Sequence, residues 1–317
     1  MACGCGAGVV AVVRALKQPK LCAAVSYAAY MNNLNPVIIH APAKINLSLD
    51  VLGRRPDGYH ALRSVMQTLE LHDTLELSPD PVGEITITCD APALAGPANL
   101  AWRAADLLRQ ETGYTGGARL ALCKRVPVDA GLGGGSSDAA ATLVGLNRLW
   151  NLGLATDQLV ELGARLGSDV PFFFYAPTAL ATGRGETIAP LPPLSRVHVV
   201  LHKPDSGVST RQVFAALTPA LYSDGSQTEA LLAALRANPL SPPHAWPLSN
   251  DLQRTVSLLY PAVARALDAL RDAGASKPLM TGSGSTCYAL FAHAEDARHT
   301  CERLGGAGGW TALTRTA

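Results

Sequence analysis

The chain has 317 residues, of which 48% are hydrophobic and 16% charged, with a formal net charge of +1. That composition excludes a largely disordered chain and gives no electrostatic pull toward nucleic acid or anionic lipid. No run of about 20 apolar residues marks a membrane span, and the length fits one large domain or two ordinary ones.

Residues 1–36 differ from the rest. "MACGCGAGVVAVVRALKQPKLCAAVSYAAY" is small, apolar and unpatterned, and its Arg14 and Lys17 follow the apolar stretch, where a signal peptide carries its basic residues first. The expectation is an unassigned extension, either poorly packed or arising from a start codon placed too early, with Met31 just before the first convincing strand. The seven cysteines, at 3, 5, 22, 89, 123, 287 and 301, include no C-x-x-C pair. Their odd number argues against a disulfide framework or structural zinc and for free thiols in the cytoplasm.

From Val37 the pattern sharpens. In "VIIHAPAKINLSLDVLGRR", Ile45, Leu47, Leu49 and Val51 alternate with Lys44, Asn46, Ser48 and Asp50, which predicts a strand with one polar face. "RRPDGYH" is a turn bent by Pro56 and Asp57-Gly58. "TLELHDTLELS" and "GEITITC" read as strands, "NLAWRAADLLRQETG" as a helix ending near Gly113, and "ARLALCKRVP" as a strand leading into a glycine loop. A helix begins near Ser137, with Ala139, Leu143, Leu146 and Trp150 on one face. "TDQLVELGARLG" is a second helix, with Thr156 as N-cap and Gly167 at its end. "SDVPFFFY" reads as a short strand. Pro190, Pro192 and Pro193 mark a domain junction. Beyond it lie a strand at "RVHVVLHKP", helices at "STRQVFAAL" and "PAVARALDALRDAG", and a strand at "CYALFAH". Strands and helices alternate without strand–helix–strand regularity, so the class is α+β.

The stretch "VPVDAGLGGGSSDAAATLVGLNRLW" (126–150) places four glycines between Gly131 and Gly135 directly before a helix. Glycine is costly where nothing needs it. Here its amides and the helix N-terminus can form a nest for a di- or triphosphate; the alternative is an ordinary turn with a capping serine. No Walker lysine follows. A second glycine stretch, "MTGSGSTCYALF", is either a strand-entry turn or a second wall around the same ligand. Asp169 sits at a loop junction, as a solvated carboxylate or a catalytic one. Lys44 is either a surface lysine or part of a cleft. As a pair beside a terminal phosphate, Asp169 would accept or orient a hydroxyl proton and Lys44 would offset charge on the transferred group. Tyr59 and His60 either pack locally or form a stacking platform for a base. The other histidines show no metal-ligand spacing.

Taken together, "APAKINLSLDVLGRRPDGYH" (41–60), the glycine stretch (126–150), "LGSDVPFFF" (166–174), "GRGE" (183–186), "LSNDL" (248–252) and "TGSGSTCYALF" (281–291) resemble the GHMP kinase superfamily over roughly residues 37 to 317. The glycine loop alone indicates the superfamily. "AKINLSL" with "RPDGYH" and "GSDVPFF" resembles the branch acting on a cytidine-diphosphate-linked methylerythritol. The resemblance implies ATP-dependent phosphorylation of that small molecule's 2-hydroxyl, in the non-mevalonate isoprenoid route. It implies a two-domain GHMP kinase fold, with a ribosomal protein S5 domain 2-like N-terminal domain over 37–188 and a ferredoxin-like C-terminal domain over 189–317. It makes Lys44 and Asp169 the catalytic pair. Around the ATP phosphates it places Pro127, Val128, Asp129, Ala130, Gly131, Leu132, Gly133, Gly134, Gly135, Ser136 and Ser137. Asn46 falls beside the reacting hydroxyl, Tyr59 and His60 at the cytosine, and Phe214 as a second stacking aromatic. Mg²⁺ is implied with ATP, at a site the sequence leaves unassigned, with Ser137 a candidate by position alone. Two other readings stand beside this one: a kinase for another alcohol, such as homoserine or mevalonate, and a non-catalytic nucleotide sensor. "RPDGYH" argues against the first, and the presence of both Lys44 and Asp169 against the second.

Overall fold

The computed structural model describes residues 36–175, 177–238 and 241–317. The extension expected before residue 36, with Cys3, Cys5 and Cys22, lies outside the described residues. Cys89, Cys123, Cys287 and Cys301 are free thiols. No helix among the described residues is long and apolar enough to cross a membrane.

One long strand organises the N-terminal half. β3 (His60–Asp80) pairs antiparallel with β1 (Val37–Asn46), β2 (Asp50–Arg54), β5 (Gly117–Cys123) and β6 (Thr178–Gly183). β4 (Ile85–Cys89) extends the sheet beside β5, and β7 (Thr187–Pro190) beside β6. The continuous strand expected over 37–55 is broken between β1 and β2. There the backbone of Leu49 turns away, donating to the carbonyl of Ser249 and accepting from the amide of Asp251. The β6–β7 hairpin was not expected, because its residues alternate weakly.

Two helices cover this sheet. α1 (Leu100–Thr112) buries Ala101, Ala104, Ala105 and Leu108, the spacing of one helical face. It stops at Gly113, whose φ of 66° suits a residue without Cβ. At its start, the Asn99 side chain accepts from the amide of Ala101 at 2.8 Å. Asn99→Ala is therefore expected to lower stability by about 1 kcal/mol, read as a shifted urea midpoint at constant slope. α2 (Gly134–Leu149) buries the expected Ala139, Leu143 and Leu146, with Trp150 buried at its C-cap, and also Ala140, Ala141, Thr142 and Gly145. Its small residues bring it close to the sheet: a Cβ on Gly145 would lie 2.2 Å from Leu77 Cδ1. α2 begins three residues before the expected Ser137, because Gly133 takes a left-handed φ of 71° as its N-cap.

α3 (Thr156–Leu166) starts on Ala155 rather than Thr156; the Ala155 amide donates to Gln158 Oε1 at 2.9 Å. "SDVPFFFY" is a turn followed by the short helix α4 (Phe172–Tyr175), not a strand. Amides 170, 173 and 174 bond back three residues, and the three phenylalanines pack in different directions. Phe172 enters the core beside Met66, Phe173 lies under Gly133 and Phe174 against Gly163.

The C-terminal half is built on β8 (His198–Lys203), β9 (Leu279–Met280), β10 (Cys287–Phe291) and β11 (Trp310–Arg315). They run in the order β11-β8-β10-β9, the 4-1-3-2 antiparallel order of a ferredoxin-like sheet. Its helices are α5 (Thr210–Ala215), α6 (Ser226–Ala237), α7 (Leu252–Leu259), α8 (Pro261–Asp272) and α9 (Ala294–Arg303). Val263, Leu267 and Leu270 of α8 cover one face, against Val200 and Ala289. The other face carries Val199, Leu201 and Tyr288 into a core shared with Ile45, Leu47 and Val65 of the first sheet. The two sheets thus hold each other through the apolar side of β1. Its polar side is left to be covered by loops.

Candidate active site

That polar side is not solvated. Lys44, Asn46, Ser48 and Asp50 are each 4% exposed or less. Buried charge and amide groups need partners, and these have them. Lys44 Nζ donates to Asn46 Oδ1 at 2.8 Å and lies 3.4 Å from Asp169 Oδ2. Asn46 Oδ1 also accepts from Thr281 Oγ1 at 3.2 Å, and Asn46 Nδ2 donates to Ser64 Oγ at 2.8 Å. Asn46 thereby fixes the ammonium rather than standing free beside it. Asp169 is different: its side chain is 36% exposed, on the turn before α4, and Lys44 is its ion-pair partner.

The two glycine stretches touch. The Ala130 carbonyl accepts from the Thr286 amide at 3.2 Å, and the Leu132 carbonyl accepts from the Lys44 amide at 2.9 Å. Asn250 Nδ2 bridges the carbonyls of Met280 and Gly282 at 2.7 and 2.9 Å, holding the second loop in place. Gly131 and Gly133 adopt φ of 74° and 71°. A Cβ on Gly133 would sit 2.9 Å from Lys44 Cγ, so the loop lies directly over the lysine stem. Pro127 to Ser136 all line one cleft of ≈ 1830 Å³, together with Lys44, Asn46 and Asp169. Ser137 does not line it; its hydroxyl is buried without a hydrogen-bond partner among the described residues.

Beneath the loop lies a buried ionic clamp. Lys124 Nζ is 2.5 Å from Asp73 and 2.8 Å from Asp138 near the start of α2. Asp73 also accepts from the amides of Arg125 and Val126. Burial pushes the Asp138 carboxyl up to about 7, against the pull of the Lys124 ammonium. The clamp ties β3, the entry to the loop and α2 into one unit.

The far end of the same cleft is aromatic. The His60 ring lies tilted by 31° to Phe214 with ring centres 5.1 Å apart, and meets Tyr222 edge-on at 5.7 Å. Burial, with the Arg54 charge second, holds the His60 imidazole below its usual range, so the ring is neutral near pH 7. Tyr59 is 57% exposed, and the Arg184 guanidinium sits 4.8 Å from its ring centre, covering one face. Tyr59, His60 and Phe214 therefore share the cleft, but Tyr59 is not stacked on His60.

Several functional neighbours escaped the sequence reading. Asn250 and Arg184 lie inside "LSNDL" and "GRGE", which carried a signal. Thr281 likewise opens "TGSGSTCYALF", whereas Ser64, Lys124 and Tyr222 had none, since their partners lie up to 162 residues away. Chemically, the arrangement sets a carboxylate beside a fixed ammonium, under a glycine loop at a helix N-terminus. That constellation suits transfer between an anion and an acceptor proton donor.

Residues 99–176 match the family profile for the GHMP kinases N terminal domain, and residues 226–308 that for the GHMP kinases C terminal. A 4-diphosphocytidyl-2-C-methyl-D-erythritol kinase of Pelotomaculum thermopropionicum is 45% identical over 277 residues, 87% of this chain and 96% of its own. One of Brevibacillus brevis is 45% identical over 255 residues, 80% of this chain and 87% of its own. A crystal structure of 4-(cytidine 5'-diphospho)-2C-methyl-D-erythritol kinase superposes with a TM-score of 0.76 at 36% identity, covering 89% of this chain and 99% of that one. Homoserine kinase from Cytophaga hutchinsonii shares the fold, with a TM-score of 0.62 at 18% identity over 89% of this chain and 94% of its own.

Proposed function

The chain belongs to the GHMP kinases and, within them, to the 4-diphosphocytidyl-2-C-methyl-D-erythritol kinase family, and from that membership we propose its reaction and the residues that carry it. The terminal phosphoryl group of ATP passes to the 2-hydroxyl of 4-diphosphocytidyl-2-C-methyl-D-erythritol, giving the 2-phosphate and ADP in the non-mevalonate isoprenoid pathway. The observation that carries this reading is the shared cleft, with the Lys44–Asp169 pair under a glycine loop at one end and His60, Phe214 and Tyr59 at the other.

In this reading residues 37–188 hold the nucleotide and residues 189–317 close the cleft. Amides of Gly131 to Gly135 and the start of α2 bind the phosphate chain. Asp169, reachable from the cleft, accepts the proton of the attacking hydroxyl. Lys44 is held by Asn46, so its charge meets the transferred group without reorganising. The loose transition state of phosphoryl transfer asks mainly for such positioning. Mg²⁺ bound with ATP would neutralise phosphate charge. Among the described residues no group of three His, Cys, Asp or Glu could hold a metal by itself. Ser137, the candidate by position, has a buried hydroxyl without a hydrogen-bond partner among the described residues but does not line the cleft, so the residues present assign the ion no protein ligand.

An ADP-release assay with a panel of alcohols tests this. Turnover is expected with the cytidylyl substrate and not with homoserine or mevalonate; the opposite preference overturns the substrate assignment, and no turnover with any of them favours a nucleotide sensor. Tyr59→Ala is expected to raise KM for the cytidylyl substrate by about 1–3 kcal/mol in binding, the worth of one stacked base. An unaltered KM removes Tyr59 from the base site.

A further inference from the structure

Asn46 holds the Lys44 ammonium, and the hold works only with one end of its carboxamide. Hydrogen-bond chemistry on both sides leaves a single choice of end. An ammonium only donates, so the atom 2.8 Å from Lys44 Nζ is the carbonyl oxygen Oδ1. Thr281 Oγ1, 3.2 Å away, donates to the same oxygen from the second glycine loop. At the other end, Asn46 Nδ2 lies 2.8 Å from Ser64 Oγ, its hydrogen-bond partner among the described residues. Ser64 stands on β3 two residues from Met66, the cross-strand partner of Asn46, and so on the same face of the sheet. A backbone carbonyl only accepts, and the Ser48 carbonyl, in the break between β1 and β2, takes the single proton of the Ser64 hydroxyl. With that proton given away, Ser64 Oγ meets Asn46 as an acceptor. Donors and acceptors thus run one way, from Lys44 through Asn46 and Ser64 to Ser48, and all four residues are 4% exposed or less. Ser64 lies outside every motif read from the sequence.

We propose that Ser64 is a positioning residue for phosphoryl transfer: it sets the Asn46 carboxamide with its oxygen toward Lys44 and so aims the ammonium. The physical reason lies in how the ammonium spends its three protons. Asn46 Oδ1 takes one and Asp169 Oδ2, at 3.4 Å, faces another, which leaves the third for an oxygen of the transferred group. As Asp169 takes up the proton of the attacking hydroxyl, it loses its charge and with it much of its hold on Lys44. Asn46 is then the anchor that remains, at the moment when charge on the transferred group needs a fixed partner. Turned end for end, the carboxamide would set its NH₂ against the ammonium, donor facing donor. The proposal rests on the kinase reading above and adds to it a residue that acts through another.

Ser64→Ala removes the acceptor. Ser64→Cys keeps the size of the side chain and offers only a weak acceptor, so it serves if the alanine variant does not fold. In either, kcat with the cytidylyl substrate is expected to fall roughly three- to tenfold, as for loss of one hydrogen bond, while KM for ATP and for that substrate holds. A purely structural role would spare kcat below the melting transition, or would raise both KM values along with any loss of kcat; either result overturns the proposal. The side-chain amide of Asn46, assigned in ¹H–¹⁵N spectra with Asn46→Asp, gives a second readout that needs no substrate. Its protons are expected to exchange with water slowly in the parent protein and roughly tenfold faster in the Ser64 variants. Equal exchange rates overturn the proposal. If the parent protein does not turn over the cytidylyl substrate, the functional reading fails instead, and the exchange rates alone decide whether Ser64 orients Asn46.

Discussion

Asp169→Asn is expected to slow turnover by about a hundredfold or more while ATP affinity stays close to its starting value. The substitution keeps the size of the side chain and removes both its charge and its ability to take a proton. Asp169 is partly open to the cleft, and its ion pair is with Lys44 at 3.4 Å. Lys44 keeps its hydrogen bond to Asn46 in that variant, and a melting curve taken beside the assay separates a loss of activity from a loss of fold. The loss should appear in kcat and in kcat/KM alike, the signature of an interaction made in the transition state. A hundredfold corresponds to about 3 kcal/mol of barrier. Near-normal kcat in a folded Asp169→Asn protein removes Asp169 from the chemistry and leaves Lys44 as a simple anion contact.

The second large effect is expected at Gly131, and there it is steric. The residue takes φ of 74°, a conformation that costs an ordinary residue about 1–2 kcal/mol. A Cβ there would lie 2.6 Å from the carbonyl oxygen of Thr281 and 2.8 Å from that of Gly284. Both are backbone atoms of the second glycine loop and cannot swing aside as a side chain could. Relief requires the two loops to part, and overpacking of that kind costs roughly 1–3 kcal/mol more. Gly131→Ala should therefore lower the melting temperature by many degrees and weaken ATP binding with it. Gly135→Ala is the internal comparison. Its Cβ would meet Leu100 Cδ1 at 3.5 Å, an ordinary contact, inside the helix. Its stability should hold, so any loss of ATP affinity there reports the approach of phosphate rather than of protein. Equal melting temperatures for the two variants would contradict the packing account of Gly131.

The sequence made the strands and helices around the cleft legible where periodicity was strong. α2 buries Ala139, Leu143 and Leu146 as its spacing nominates, and in β1 Ile45 turns to the core while Lys44 and Asn46 line the cleft. It could not say what covers a polar face. Lys44 and Asn46 looked equally like surface groups or cleft groups, because the residues that enclose them, Thr281, Asn250 and Leu132, arrive from distant parts of the chain. "SDVPFFFY" was misread because an apolar run has the same composition in a strand and in a buried turn of helix. Val170-Pro171 suggested extension, whereas Pro171 precedes the short helix and its carbonyl accepts from the Phe174 amide. Glycine was the most informative residue. Its cost in a helix entry announced a close approach, and the structure adds that one of the close neighbours is the second glycine loop itself. Tyr222 and the Lys124 clamp left no trace in the sequence, since each has meaning only through partners 14 to 162 residues away.

A structure of the protein bound to a nonhydrolysable ATP analogue and the cytidylyl alcohol tests the central claim most directly. The expected result is the phosphate chain on the amides of residues 131–135, the terminal phosphorus beside Lys44 Nζ, and the 2-hydroxyl within hydrogen-bond reach of Asp169. A triphosphate seated elsewhere, or an acceptor hydroxyl out of reach of Asp169 with the cleft closed, contradicts it.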